Sequence, residues 1–295
     1  MNCIPVALGD DVTSVAIPPA GRVVVAGWHA GRVTVHRLRD GTLIHELPRQ
    51  PAAVWSLAFS PDGTRLAIGS DDNPSSPAGA VEVWRTSPWT RMTALPIDEV
   101  GGTWSLDWTA DGQYLAVGHT DGVVRLWDLT DTLMVRVFDA ITCERPQVAC
   151  APHAPLLAQG CEEVVQIVRL TDGRLLHEWS GHPHDLHDLA WSPTPALVGV
   201  GCAFDRSVRL WNAEQGTRAG TLEFESEIHS LAFSPDGQRL ACGGADGRVH
   251  ILRVADGRVE LELLGHRGWV RDVAWAADGR VIASGSTDGT LCIWR

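Results

Sequence analysis

The same seven residues, Leu-Ala-Phe-Ser-Pro-Asp-Gly, occur twice in this chain, at Leu57–Gly63 and at Leu231–Gly237. Weaker copies end at positions 21, 112, 154, 195 and 279. The steps between successive copies are 42, 49, 42, 41, 42 and 42 residues. So regular a period is the signature of a repeat architecture. The one long step contains residues 71–79, which are rich in Asp, Ser and Pro and predict a longer loop.

Each repeat predicts four short strands, a to d in chain order. An alternating run such as Trp55–Phe59 predicts strand a, and the Ser-Pro-Asp-Gly that follows suits a type I turn. Asp-Gly pairs such as Asp121-Gly122 separate the later strands. No segment keeps a helical period over the length of a helix. Short strands at even spacing with turn signals between them predict an all-β fold.

Three dipeptides connect these repeats to a known family: Gly181-His182, Gly265-His266 and Trp127-Asp128. With a period of roughly 40–45 residues, the chain resembles the WD-repeat family over essentially its whole length. The resemblance implies one seven-bladed β-propeller of four-stranded antiparallel blades, spanning residues 1–295. The expected blades are residues 11–48, 51–97, 101–139, 143–180, 182–225, 227–264 and 266–295.

The last repeat stops at the end of strand c, at Trp294-Arg295, and has no strand d of its own. The segment Cys3–Leu8 precedes the first strand a and has no other role in the repeat frame. In the WD-repeat family the ring closes by such an exchange. We therefore expect residues 2–9 to form the outer strand of the last blade, where Pro5 can leave one side unpaired.

Composition narrows the function classes. The 24 basic and 36 acidic residues give a net charge of −12, which argues against a nucleic-acid binder. The chain has no apolar run of membrane-spanning length and no signal-peptide pattern, so we expect a cytoplasmic protein without membrane contact. Seven scattered cysteines favour reduced thiols over a disulfide framework or a zinc site. No phosphate loop or dinucleotide fingerprint is present, so no cofactor is expected. All basic residues are arginine, which points to a high-GC bacterium.

The last repeat contains His266, Ser284, Asp288 and Trp294 at the spacing of the WD-repeat family. A Ser-His-Asp catalytic triad is one interpretation. The family implies another, in which these four residues form a structural hydrogen-bond chain, and we expect this one, with no catalytic residue. The fifth repeat has Val200 where the serine should be, so its chain is expected to be incomplete.

The segment His182–Asp188 contains three histidines and two aspartates and suggests a metal site. Because His184 and His187 are an odd number of residues apart, they would face opposite sides of a strand. A solvated loop with one inward histidine is the expected structure, and no metal is predicted.

Aligned with the family, one position of each strand a faces the channel mouth. That position is occupied by Thr13, Trp55, Trp104, Pro146, His187, His229 and Arg271. Two residues earlier, the chain offers Glu144, Asp185, Glu227 and Trp269, and the turns between strands b and c add His29 and Phe204.

Trp supplies much contact area at little entropic cost, so this rim predicts a partner-binding site. The acids suggest that the partner inserts a basic side chain between the aromatic rings. The alternative for Trp55 and Trp104 is that they only plug the channel. The expected function is a non-enzymatic scaffold or sensor propeller, monomeric, that binds a protein or peptide. One alternative is a hydrolase or lyase using His187, His229 and Glu227, and another is a sensor module acting with a kinase or NTPase.

Overall fold

The computed structural model describes residues 3–7, 9–70, 81–96, 101–138, 143, 145–180, 186–194, 197–202 and 205–295. The described residues form 28 strands and no helix, as the all-β prediction requires. None of this part of the chain therefore provides a helix that could span a membrane. The predicted long loop at 71–79 lies outside the described residues.

The first strand, β1, spans Cys3–Ala7. Blade 1 contains β2 to β5, which are Val12–Ala16, Val23–Trp28, Val33–Arg37 and Leu43–Leu47. Blade 2 contains β6 to β9, which are Val54–Phe59, Arg65–Ser70, Val81–Thr86 and Trp89–Ala94. Blade 3 contains β10 to β13, which are Thr103–Trp108, Tyr114–His119, Val124–Asp128 and Leu133–Phe138. Blade 4 contains β14 to β17, which are Gln147–Cys150, Leu156–Cys161, Val164–Arg169 and Leu175–Ser180.

Blade 5 contains β18 to β21, which are Leu186–Trp191, Leu197–Cys202, Ser207–Asn212 and Thr217–Glu223. Blade 6 contains β22 to β25, which are Ile228–Phe233, Arg239–Gly244, Arg248–Arg253 and Val259–Leu264. Blade 7 combines β26 to β28, which are Val270–Trp275, Ile282–Ser286 and Thr290–Trp294, with β1 as its fourth strand.

The seven sheets form a closed ring around a central channel. All pairs within the sheets are antiparallel, and each sheet runs from an inner strand a to an outer strand d. The inner strands contact one another in the order β2, β6, β10, β14, β18, β22 and β26, and β26 contacts β2 again. The predicted seven-bladed β-propeller is therefore confirmed.

The N-terminal strand closes the ring as expected. Strand β1 pairs antiparallel with β28, with Cys3 opposite Trp294 and Pro5 opposite Cys292. Because β1 is the outermost strand of its sheet, the missing N–H of Pro5 removes no hydrogen bond to a further strand. The first and last parts of the chain thus share one sheet.

The turns explain why the sequence repeats. In the first Ser-Pro-Asp-Gly turn the Gly63 amide donates to the Ser60 carbonyl at 2.8 Å. The Asp62 carboxylate accepts from Ser60 Oγ at 2.6 Å and from the Thr64 amide at 3.0 Å. Gly63 has a φ of 69°, in the left-handed region that other residues rarely adopt. The geometry of the turn therefore explains why Ser, Asp and Gly recur at these positions of the repeat.

The hydrophobic core is divided into seven layers, one between each pair of neighbouring blades. Between blades 7 and 1, for example, Val12 and Trp28 pack with Leu291 and Ile293. The tryptophans of strand a also join blades by hydrogen bonds. The indole N–H of Trp108 donates to the Ala58 carbonyl of the preceding blade at 3.0 Å, and Trp275 donates to Ala232 in the same way. Burial and bonding between blades, rather than within them, hold the ring together.

Candidate functional site at the channel mouth

The predicted mouth positions share an unusual backbone feature. In six blades the strand pair a–b has a β-bulge, and the extra residue of each bulge occupies the predicted mouth position. These residues are Thr13, Trp55, Trp104, His187, His229 and Arg271. In blade 4 the equivalent Pro146 lies immediately before strand β14. A bulge re-aims the extra side chain relative to the sheet, so the backbone turns these residues out of the ladder.

One side of the mouth is aromatic. The Trp55 and Trp104 rings of blades 2 and 3 lie 4.8 Å apart between centroids, tilted by 35°. His29 meets Trp55 edge-on, with 5.9 Å between the ring centroids. The Arg145 guanidinium lies 4.7 Å from the Trp104 ring centroid. Two half-buried indoles in contact form a continuous apolar wall at this edge of the channel.

The other side combines histidine, tryptophan and arginine. The Nδ1 atoms of His187 and His229 are 3.2 Å apart, so one of them donates and the other accepts. The Trp269 ring stacks on His229 at 5.2 Å, and the Arg271 guanidinium lies 5.0 Å from the Trp269 centroid. Trp269 is 45% exposed, whereas His229 is only 6% exposed. This side therefore offers one accessible indole supported by buried polar groups.

The electrostatics of this side follow from burial. Burial, together with the charges of His187 and Arg271, lowers the pKa of His229 to about 3. Burial also lowers the pKa of the Arg271 guanidinium, the Asp11 carboxylate raises it, and the charge of Arg145 lowers it. Glu227 Oε2 lies 3.9 Å from His229 Nε2, too far for a hydrogen bond. At neutral pH His229 is therefore neutral and Arg271 remains charged.

The mouth opens into a cavity of about 600 Å³ along the channel axis. Trp55, Trp104, His187, His229 and Arg271 line it together with the residues next along each strand a. This volume suits a side chain or a short peptide rather than a folded domain. The predicted residues Trp55, Trp104, His187, His229 and Arg271 thus share one cavity.

Three of the predicted mouth residues, Glu144, Asp185 and Phe204, lie outside the described residues. The same holds for His182 and His184 of the suspected metal segment. Among the described residues, no group of three or more His, Cys, Asp and Glu could hold a metal ion.

A belt of hydrogen bonds lies just inside the mouth, and sequence reasoning missed it. In six of the seven blades, the residue after the mouth position accepts a backbone N–H from the next blade around the ring. Val15 donates to Asp272, Leu57 to Ser14, Leu106 to Ser56, Val148 to Ser105, Leu231 to Asp188 and Val273 to Ser230, at 2.6–3.2 Å. A Ser or Asp after the mouth residue in six of the seven repeats was the available signal.

The belt solves a general problem of the innermost strands. An inner strand is a sheet edge, and its free N–H groups would otherwise be unpaired in the channel. At the seventh step, from blade 4 to blade 5, Gln147 occupies the belt position. There the Leu189 amide instead interacts with the carboxylate of its own neighbour Asp188 at 2.8 Å.

Two belt carboxylates titrate abnormally. Burial and the nearby charge of Asp272 raise the pKa of Asp188 to about 8, although hydrogen bonds partly oppose the rise. Burial raises the pKa of Asp272 to about 6, although four hydrogen-bond donors stabilise its charged form and partly oppose the rise. A third channel carboxylate, Asp107, has its pKa raised to about 6 by burial and accepts the Cys150 amide at 2.8 Å. Acidic groups in the channel are thus held partly protonated near neutral pH.

The four residues of the predicted chain in blade 7 lie together. The Trp294 indole N–H donates to Ser284 Oγ at 2.7 Å, and Ser284 Oγ is 2.7 Å from His266 Nε2. His266 Nδ1 is 3.3 Å from Asp288 Oδ2. Ser284 is fully buried within the sheet and accepts a hydrogen bond from the indole N–H. This environment suits a structural hydrogen bond and not a nucleophile that faces a pocket.

Blade 1 has a related arrangement that the sequence did not reveal. The Trp28 indole donates to Thr34 Oγ1 at 2.8 Å, and His36 Nε2 lies 2.9 Å from the same oxygen. His36 Nδ1 is 3.1 Å from the Gly41 carbonyl. Trp28 is therefore a buried core residue that donates within its own blade.

The cysteines differ from expectation. Cys3 is disulfide-bonded to Cys292 and Cys143 to Cys161, so the expectation of reduced thiols was wrong for these four residues. The first pair is 289 residues apart and is brought together by the pairing of β1 with β28, whereas the second is 18 residues apart and lies within the blade 4 repeat. Cys150 and Cys242 are free and buried.

Comparison with known proteins agrees with this geometry. The family model described as "WD domain, G-beta repeat" matches residues 41–73, 98–128, 173–212, 216–252 and 257–295, together more than half of the chain. A periodic tryptophan protein 2 homolog of Mus musculus is 26% identical over 251 residues, covering 69% of this chain and 26% of that protein. Protein HIRA of Dictyostelium discoideum is 24% identical over 178 residues, covering 55% of this chain and 12% of that protein.

The small ribosomal subunit protein RACK1y of Oryza sativa subsp. japonica is 28% identical over 125 residues, covering 40% of this chain and 35% of that protein. The matches thus span only about a tenth to a third of these relatives, all of which are eukaryotic. They lend no support to a bacterial origin, which stays a prediction. The matched repeats and the seven four-stranded blades lead to one conclusion, that the chain belongs to the WD-repeat family.

Proposed function

We propose that this protein is a non-enzymatic scaffold or sensor that docks a peptide or protein domain at the channel mouth. WD-repeat relatives support a role as a protein-interaction scaffold. The observation that carries the choice of face is the pair Trp55 and Trp104, which line a cavity of about 600 Å³, together with the exposed Trp269, which stacks on the cavity residue His229. Indoles placed at a cavity mouth are the residues that most often dominate binding energy.

The alternative that Trp55 and Trp104 only plug the channel makes the opposite prediction for stability. Both rings are half-buried, and the cavity remains open beside them. Their positions on bulges also remove them from the pairing of the sheet. A partner-binding role therefore fits the pair better than a purely structural one.

The enzymatic alternative is weaker. A hydrolase or lyase would use His187, His229 and Glu227, and a good general base has a pKa near the working pH. The pKa of His229 is lowered to about 3, and its Nε2 is 3.9 Å from Glu227. The buried Ser284 and His266 of blade 7 are no better placed for substrate. The alternative of a sensor acting with a kinase or NTPase is compatible with relatives much longer than the match. The expected cytoplasmic location and monomeric state stay predictions.

The test compares matched tryptophan variants. A partner is first purified with the protein from its native host and identified by mass spectrometry. Its affinity is then measured by surface plasmon resonance for wild type, Trp55→Ala, Trp104→Ala and Trp89→Ala. Trp89 is the control because it is a half-buried tryptophan on outer strand β9 of the same blade as Trp55.

We expect the two mouth variants to lose about 2 kcal/mol or more of binding energy, about thirtyfold in affinity. Their melting temperature should change little, and Trp89→Ala should bind as wild type does. Normal binding by both mouth variants with a large loss of thermal stability would instead support the plug.

A further inference from the structure

Two arginines lie at the mouth, where the Asp11 carboxylate acts favourably on Arg271 and Glu227 Oε2 lies 3.9 Å from His229 Nε2. Arg145 lies over Trp104 and Arg271 over Trp269, on opposite sides of the aromatic rim. Among the described residues, neither guanidinium has a carboxylate within the 4 Å of an ion pair, whereas eleven of the other arginines do. These two arginines are held by ring faces and not by acids.

The sequence suggested that a partner inserts a basic side chain between the aromatic rings of the mouth. The arrangement of the two arginines does not favour such a partner. The face of an aromatic ring attracts a cation. The rings of Trp104 and Trp269 are each already in contact with a guanidinium group of the protein itself. A partner's lysine or arginine would have to displace them and would meet like charge, because Arg145 already acts unfavourably on Arg271. The two guanidinium groups are complementary to an anion instead.

A second observation points to a ligand at the same place. His229 lines the channel, its side chain is 97% buried, and its Nε2 has no hydrogen-bond partner among the described residues. A buried polar atom without a partner is costly, and such atoms in native structures call for an explanation. A polar group of a ligand entering between Trp269 and Arg271 would reach the region of this ring.

We propose that the channel mouth binds a carboxylate side chain of an acidic peptide segment, with Arg271 and Arg145 as its cationic contacts. The proposal rests on the proposed function and adds the charge of the partner. Arginine suits this role because its planar fork of N–H donors matches a carboxylate bidentately. Trp55 and Trp104 would take the apolar part of the same segment, and His229 Nε2 a polar atom near the carboxylate.

The overall negative charge of the protein opposes the binding of an acidic peptide. At −12, the molecule as a whole repels an acidic peptide and attracts a basic one. Non-specific attraction therefore favours basic peptides, and selection of acidic ones would have to come from a local site. A nucleic acid, which is repelled by the same net charge, is not favoured by two arginines alone.

The experiment uses a displayed library of random twelve-residue peptides, selected on the immobilised full-length protein. The affinities of selected peptides are measured by fluorescence polarisation for wild type and for the double variant Arg145→Ala/Arg271→Ala. Arg39→Ala/Arg258→Ala is the matched control, because it removes the same charge from arginines with side chains 73% and 78% exposed, away from the mouth. Thermal melting checks that all variants fold.

We expect the selected peptides to share an Asp or Glu at one position. Changing that residue to Asn or Gln, or using the mouth double variant, should weaken binding by about tenfold or more, since each contact is a charged hydrogen bond. The control should stay within about twofold of wild type, as exposed charges contribute little. Selection of peptides with a shared Lys or Arg, or unchanged binding by the mouth double variant, would overturn the proposal.

The same experiment separates the two proposals. Basic peptides whose binding is lost in Trp55→Ala or Trp104→Ala would contradict the anionic ligand and leave the proposed function standing. A selection that yields no peptide dependent on either tryptophan would contradict the mouth as the binding site, and the anionic ligand with it.

Discussion

Blades 5 and 7 have the same four-stranded sheet but satisfy their inner polar groups differently. In blade 7 Trp294 donates to Ser284, which also contacts His266. In blade 5 the equivalent Trp211 indole N–H has no hydrogen-bond partner among the described residues. The register shows why: Trp294 pairs with Ile282 and Trp211 with Val198, so Val200 occupies the place of Ser284.

The two blades also differ in how the chain builds them. Blade 5 is contiguous in sequence, whereas blade 7 takes β1 from the opposite end of the chain. Bringing distant segments together has an entropic cost that local hairpins avoid. Blade 7 has the Cys3–Cys292 disulfide and the buried hydrogen-bond chain, which offset this cost. Two specific ties thus stabilise the blade in which the ring closes.

The largest expected effect comes from removing the closing strand. Deleting residues 2–9 removes the pairing with β28 and the disulfide, and exposes the edge that contains Cys292. Losing a native disulfide alone costs about 2–5 kcal/mol, and each kcal/mol shifts Tm by about 2–4 °C in a domain near this size. We expect Tm, measured by calorimetry, to fall by about 10 °C or more.

Full-length Cys3→Ser is the control for that deletion, since it removes the disulfide and keeps the strand. Its Tm should lie between those of the wild type and the deletion. A deletion variant with the same Tm as the wild-type protein would show that β1 does not close the ring.

A smaller effect should separate the two tryptophans. Trp294→Phe removes the donor to buried Ser284, whereas Trp211→Phe removes an N–H that has no described partner. Both changes remove a similar area of aromatic ring. The difference between their losses of unfolding free energy therefore reports the hydrogen bond of Trp294, worth about 1–2 kcal/mol. Urea unfolding of both variants gives the comparison. Equal losses of stability would mean that the chain in blade 7 contributes nothing specific.

The belt carboxylates of the same two blades should differ in their response to pH. The folded-state pKa of Asp188, about 8, lies above its ordinary value of 3.8, so folding takes up a proton and stability falls as pH rises from about 4 to 8. Asp188→Asn abolishes this titration, and its one oxygen can still accept the Leu231 amide, although the contact of the other oxygen with the Leu189 amide is lost at every pH. We expect its stability relative to wild type to increase between pH 5 and pH 8.

Asp272 provides the contrast. Its two oxygens accept from the amides of Val15 and Val273 and from the hydroxyls of Ser14 and Ser230. The single oxygen of an asparagine cannot replace them, so Asp272→Asn should be destabilised at both pH values. Chemical denaturation of both variants at pH 5 and pH 8 tests this, and an Asp188→Asn curve parallel to wild type would contradict the titration.

The smallest effect should come from giving blade 5 the missing oxygen. Val200→Ser loses apolar contacts but provides an acceptor for Trp211, while Val198→Ser on the same face of β19 loses similar contacts without one. We expect Val200→Ser to be the more stable of the two variants by about 1 kcal/mol, the value of one hydrogen bond. A larger loss in Val200→Ser would show that the register equivalence with Ser284 does not hold.

Much of the fold could be predicted because the repeat fixes both the period and the strand order. The turn at 57–63, aligned with its copies, located every strand a and hence the mouth positions. The missing fourth strand of the last repeat located β1. The four residues from His266 to Trp294 were recognisable because their spacing follows the family pattern.

Other parts of the site depend on contacts between repeats, which no single repeat encodes. Asp188 and Asp272 look like ordinary strand residues until the neighbouring blade provides their donors. Arg145 lies one position before the predicted mouth residue of its blade and reaches the Trp104 ring of the previous one. The alignment placed Arg271 at the mouth, and only the three-dimensional arrangement revealed that Arg145 also lies over a tryptophan there.

The bulges of the inner strands have a consequence for how such a surface can change. A bulged residue is extra to the one-to-one pairing of the strands, so exchanging its side chain leaves the register on either side as it was. The belt residue next to it, by contrast, is committed to the neighbouring blade. The side chains of the rim can therefore be exchanged one blade at a time, while the ring that presents them stays the same.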